Sequence, residues 1–109
     1  MGKPVKIRIV EKAWQARIAA RWLHSKRVAL VLGGTIYLWG VCRQCFLEDE
    51  AWIKHELAHI EQFKRYGRLR FAGLYLLESI KKGYYNNRFE AEARQMETAP
   101  ADLSAVEFV

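Results

Sequence analysis

The sequence predicts a small α+β domain, and three observations carry that expectation. Apolar and charged residues alternate in VKIRIVEK (5–12), the period of a half-buried strand. Two apolar runs, RVALVLG (27–33) and GTIYLWG (34–40), meet at Gly33-Gly34, a pair able to take the positive φ angles of a tight hairpin. From about residue 48 the apolar residues recur at helical spacing instead. Strands early and helices late give the order β-α-β-β-α-α-α, with a three-stranded sheet. A chain of 109 residues suffices for one core, so residues 1–109 are read as a single domain.

Between the first two strands, AWQARIAARWLHS (13–25) repeats apolar residues at Trp14, Ile18, Ala19 and Trp22, the stripe of a helix backing the sheet. VCRQCFLEDE (41–50) has no clear period and reads as a connection. A helix follows from about Glu48 to Tyr66, with Ile53, Leu57 and Ile60 on one stripe and Gly67 as its C-cap. RLRFAGLYLLESIKK (68–82) is a second helix, apolar over much of its circumference and ended by Gly83. After a turn at Tyr84-Tyr85-Asn86, Asn87 suits the N-cap of a third helix, RFEAEARQMETA, which stops before Pro100. The tail, ADLSAVEFV, is too short to pack alone.

Composition narrows the partners. With 51% hydrophobic and 28% charged residues the chain is globular rather than disordered. A net charge of +6 attracts acidic molecules non-specifically, but the Lys and Arg residues are spread from Lys3 to Arg94, so no specific nucleic-acid surface is expected. MGKPVKIRIV lacks the apolar core of a secretory signal. The most apolar run, VALVLGGTIYLWGV (28–41), has 14 residues against the roughly 20 that cross a bilayer. A cytoplasmic protein with no membrane span is expected.

The chemistry lies in HELAHIEQ (55–62). His55 and His59, at i and i+4, share one face of a helix and can both reach one tetrahedral Zn²⁺ at roughly 2.0–2.1 Å. Glu56, offset around the helix, can approach a metal-bound water without ligating the metal and take its proton as it attacks a carbonyl. The chain has only three His, and two fall in this pattern. Ile60 stands at i+4 from Glu56, so no helix-surface ion pair accounts for the glutamate. A catalytic zinc needs a third protein ligand and one open position. His24 is a candidate, but a His late in an amphipathic helix is more often structural. FEAE (89–92) offers Glu90 and Glu92, which point roughly 200° apart on a helix, so that only one can face the metal. Glu90 shares its face with small Ala93, which allows close helix approach; Glu92 shares its face with Phe89 and Met96. Asn87-x-x-Glu90 also fits a capping box, the competing use of that carboxylate.

HELAHIEQ, a connecting helix, and then YYNNRFEAEAR together resemble the gluzincin metallopeptidases, most closely the short single-domain minigluzincins, over about residues 34–95. The resemblance implies Zn²⁺ held by His55, His59 and Glu90, with Glu56 as general base and acid, and a peptide or protein as substrate. It also implies that GTIYLWG is an edge strand pairing with extended substrate. Such relatives often have Asn-Pro before the glutamate helix, where this chain has Asn87-Arg88. An oxyanion donor is required as well, and Tyr84, Tyr85, Tyr66 and Arg94 are all open candidates.

Two further segments carry expectations. The tail, about residues 99–109, contains Asp102 and Glu107 and could lie in an open cleft, making the enzyme latent. Cys42 and Cys45 form a CxxC without the second pair that a structural zinc site needs, and they read as free or redox-labile thiols. The contrasting function is a non-catalytic, zinc-stabilised module that binds protein or nucleic acid.

Overall fold

In the computed structural model, which describes residues 5–100 and 103–109, the N-terminal alternation forms strand β1, Val5–Val10, burying Ile7 and Ile9 and exposing Lys6 and Arg8. Residues 1–4, part of the segment read as lacking a leader, and Asp102 of the tail lie outside the described residues. Strands β2 (Val28–Leu32) and β3 (Thr35–Trp39) pair antiparallel, with Leu32 opposite Thr35 across Gly33-Gly34. Only Gly33 of that pair takes a positive φ, +67°, so a single glycine supplies the turn's left-handed residue. At the other end of β3, Gly40 is obligatory: its φ is +76°, and a Cβ there would run into the Lys26 carbonyl.

The fold is α+β, but the sheet is mixed and four-stranded, in the order β2-β3-β1-β4. The fourth strand, absent from the three-strand expectation, is β4 (Val106–Phe108), which pairs parallel to β1. Val109 extends the contact, donating to Ile7 O at 2.9 Å and accepting from Ile9 N at 3.0 Å. Arg43 Nη2 donates to Phe108 O at 2.8 Å. Residues 106–109 of the tail thus lie along the sheet edge, not in a cleft. β1 also pairs parallel to β3, which places β3 inside the sheet and leaves β2 at the edge opposite β4. GTIYLWG is therefore not the edge strand the resemblance implied; VALVL is.

Strand alternation divides the core into two layers. Ile7, Ile9, Val31, Ile36 and Leu38 face one side, with Phe46, Ile53 and Ile60 packed on them. Val10, Leu30, Tyr37 and Trp39 face the other, covered by helix α1, Trp14–Leu23. This helix buries Ala16 and Ala20, not the stripe of larger residues: Trp14, Ile18 and Trp22 stand in solvent. An alanine face lets the helix backbone approach the sheet closely. His24 ends the helix in the left-handed conformation, φ 54°, and is exposed.

The connection after β3 contains a short helix, α2 (Arg43–Leu47), which plants Phe46 in the core. Cys42 is its N-cap, Sγ accepting from Cys45 N at 3.0 Å, and the two cysteines are joined in a disulfide rather than free. Three helices follow: α3 (Glu50–Tyr66), α4 (Arg68–Asn86) and α5 (Arg88–Met96). Gly83 (φ 81°, ψ 167°) breaks α4 where the sequence ended it. Among the described residues no helix is long and apolar enough to cross a membrane.

Candidate metal centre

Helix α3 begins at Asp49, whose side chain accepts from Trp52 N at 3.1 Å, and has Glu50 in its first turn and Lys64 and Arg65 in its last. Ile53 and Ile60 pack on the sheet, which turns His55, Glu56 and His59 toward α4 and α5. Helix α5 is fixed by the wholly buried Asn87. Its Oδ1 accepts from Phe89 N at 2.8 Å, while its Nδ2 donates to Tyr75 O (3.1 Å) and Ser79 Oγ (2.9 Å) on α4. Phe89 and Ala93 are buried, and Glu90 between them meets the histidines.

Glu90 Oε1 lies 2.9 Å from His55 Nε2 and 3.1 Å from His59 Nε2, and Oε2 accepts from the Tyr75 hydroxyl at 2.5 Å. Both oxygens are turned to these partners, so the carboxylate is not spent on a capping box. One ligand atom from each of His55, His59 and Glu90 falls within 4.8 Å of the others, a group able to hold a metal ion. Glu92 is outside this group, accepting from Gln62 Nε2 at 3.3 Å near the surface.

Two residues that sequence reasoning missed set the ring orientations. Gln62 Nε2 donates to Phe89 O at 3.1 Å as well as to Glu92, so Gln62 Oε1 is the atom turned to His59 Nδ1, at 2.9 Å, and it can only accept. His59 Nδ1 therefore carries a proton. Glu97 Oε2, 2.7 Å from His55 Nδ1, accepts in the same way. Both Nε2 atoms then face a single carboxylate oxygen, where a neutral imidazole presents a lone pair. Lone pairs opposed to an anionic oxygen repel, so this arrangement requires positive charge: protons on the rings or a cation among the three groups. That donor set suits a divalent metal, and Nδ1 partners of this kind are what metal-ligating histidines use.

The electrostatics agree. Burial pulls His55 and His59 down, but the bond to and charge of Glu90, joined by Glu97 at His55 and by Glu56 and Gln62 at His59, together outweigh it, and both rings titrate above 6.5. Burial pushes Glu90 up, yet the two histidines hold it well below 4.5. Glu56 is 4% exposed, and burial pushes it up to about 8, with His59 pulling the other way.

A cavity of about 340 Å³ opens beside these groups, walled by β2, Leu23 of α1 and Phe71, Ala72 and Leu76 of α4. A second, more polar cavity of about 640 Å³ adjoins it, reaching Arg27, Trp52 and Glu97. His55, Glu56 and Tyr84 line both, as do Val28 and Ala29, so the two cavities adjoin as one groove beside β2. Of the oxyanion candidates, only Tyr84 lines these cavities. Tyr66 stacks on Phe71, and Arg94 lies over the Tyr85 ring. Burial, with the charges of Glu90 and Glu56, raises the Tyr84 phenol and keeps it protonated.

Compared with protein-family profiles, curated proteins and solved structures, the chain matches none. The fold and the site define a mixed α+β domain with a His₂Glu group competent to hold a metal ion.

Proposed function

We propose that this protein is a zinc-dependent metallopeptidase of gluzincin type. The observation that carries the reading is the convergence of His55 Nε2, His59 Nε2 and Glu90 Oε1, with the unligated Glu56 beside them on the groove wall. A structural zinc site closes its fourth position with another protein ligand and has no use for such a carboxyl. Bound Zn²⁺ supplies Lewis acidity for a peptide carbonyl and for water. The chain's own residues supply the remainder. Glu56 takes the proton of the attacking water and returns it to the leaving amine. Tyr84 donates to the oxygen that becomes negative. Glu97 and Gln62 hold the imidazoles in the required tautomer. An extended peptide adds to the free edge of β2, Val28–Leu32, and the apolar cavity takes an apolar side chain. With Val106–Phe108 paired to β1, the reading does not include latency through the tail.

The test is zinc stoichiometry beside hydrolysis of unstructured peptides, for wild type and Glu56→Ala. Retained zinc with lost hydrolysis in the variant supports the peptidase. A wild type that binds zinc and cleaves nothing under any condition would favour the zinc-stabilised binding module.

A further inference from the structure

Helices α1 and α4 invert the usual partition of side chains. On α1 the buried residues are alanines, whereas Trp14 is 67%, Ile18 60% and Trp22 73% exposed, at i, i+4 and i+8 on one stripe. On α4, Leu69 is 90%, Leu76 57% and Ile80 73% exposed, at positions that also share a stripe. The two helices meet at one opening: Ala19, Trp22 and Leu23 of α1 and Ala72, Leu76 and Ser79 of α4 all line the apolar cavity, so each stripe has a member at its wall. α1 packs on β2 and β3 and α4 on α3 and α5, so the exposed stripes are two separate ridges, joined at the cavity by Trp22 and Leu76. Apolar surface arranged in this way marks an interaction face.

We propose that this face docks on an anionic lipid surface, with the mouth of the groove turned toward the bilayer. Charge selects that occupant. α1 contains Arg17 and Arg21 and no acidic residue, and Lys12 and Lys26 lie just beyond its ends. α4 carries Arg68, Arg70, Lys81 and Lys82, and its one acidic residue, Glu78, is paired with Lys82 at 3.0 Å. Apolar residues fringed by cations suit an interface of acyl chains and anionic headgroups. Indoles at the two ends of α1 suit the same boundary, where an amphipathic ring is preferred. A second copy of this chain would bring the same cations against each other, on a molecule of net charge +6. Two separate ridges also need no shape-matched partner when the opposing surface is fluid. Docking of this kind requires neither bound metal nor turnover, so it stands apart from the peptidase reading.

Co-sedimentation of the whole protein with vesicles tests the proposal, using phosphatidylcholine alone and phosphatidylcholine containing about one third phosphatidylglycerol. The expected result is binding to the anionic vesicles that weakens with added salt, a blue shift in tryptophan emission, and far weaker binding to the neutral ones. The paired variant Ile18→Ser with Trp22→Ser, and separately Arg17→Gln with Arg21→Gln, should each lower partitioning by about tenfold or more while circular dichroism stays unchanged. Glu56→Gln should bind as wild type does. Failure to bind anionic vesicles, equal binding to both vesicle types, or undiminished binding by the variants would each overturn the proposal. So would a concentration-dependent dimer, formed without lipid and abolished by Ile18→Ser, which would make the face a contact between copies.

Discussion

Helices α3 and α5 bury carboxylates and imidazoles, whereas α1 and α4 leave indoles and leucines in water. Glu56 and Glu90 are each 4% exposed, less than many apolar residues of this chain, and Leu69 is 90% exposed. Each arrangement costs free energy by itself: buried ionisable groups lose hydration, and exposed aliphatic ones order water. In the first region the cost is offset locally, because among the described residues no buried side-chain nitrogen or oxygen lacks a partner. In the second nothing among the described residues covers the surface, and the cost is carried by the stability of the rest of the fold. The contrast separates a polar site whose partners lie within the fold from an apolar face left in water.

Substitutions can break or sharpen that contrast. The largest effect is expected at Glu56→Gln, which removes the proton acceptor: peptide hydrolysis should fall by about 10²–10⁴-fold with zinc content unchanged. Equal loss of zinc would mean that Glu56 is a ligand. Phe71→Ala comes next. Phe71 is the one fully buried residue described on α4, touching Phe63, Tyr75 and Phe89, and its truncation should destabilise the domain by about 3–5 kcal/mol in urea unfolding. Gln62→Leu strands His59 Nδ1 and the Phe89 carbonyl, and should cost about 1–3 kcal/mol while weakening zinc about 10–100-fold by competition with a chelating dye. At the other extreme, Ile18→Ser should change stability by no more than about 0.5 kcal/mol, since its side chain is already in water. A loss of several kcal/mol there would mean that α1 buries its larger stripe after all.

Protons offer a further probe of the buried region. His55 and His59 titrate above 6.5 in the metal-free fold, so their contribution is complete below that value and is lost as pH rises through the folded pKa. Glu56, raised from 4.5 to about 8, acts in the same direction, because the folded state holds a proton that the unfolded state has released. Glu90 is depressed, and its contribution fades only as pH falls below 4.5. The metal-free protein should therefore melt at a lower temperature at about pH 9 than at about pH 6, and added zinc should reverse the trend, because the metal needs deprotonated ligands. A metal-free chain that is more stable at the higher pH would contradict the arrangement of protons derived above.

Local signals in the sequence were sufficient for the parts of the fold with short-range causes. The i, i+4 histidines, the Asn87 cap, the breaks at Gly67 and Gly83 and the two-glycine hairpin all depend on neighbours within a few residues. The missed features depend on distant ones. β4 is three residues long and exists because β1 offers an edge about a hundred positions earlier in the chain. The same parallel geometry moved β3 to the interior and gave the groove its border at β2. The α1 stripe was misplaced because periodicity favours bulky apolar residues, while the sheet selected the alanine face. Glu97, Gln62 and Tyr75 had no motif to mark them; a polar residue one turn beyond the second histidine is a signal only once His59 is known to need an acceptor. VCRQCFLEDE read as a connection because a five-residue helix is shorter than any period can reveal.

The acceptors behind the two imidazoles are of unequal strength. His55 leans on an anionic carboxylate at 2.7 Å, and His59 on a neutral amide oxygen at 2.9 Å. A ring backed by an anion is the stronger electron donor, so the pair is chemically inequivalent despite its helical symmetry. Nitrogen-15 spectra should resolve two distinct Nδ1–H resonances, the His55 proton further downfield, and Glu97→Gln should draw them together.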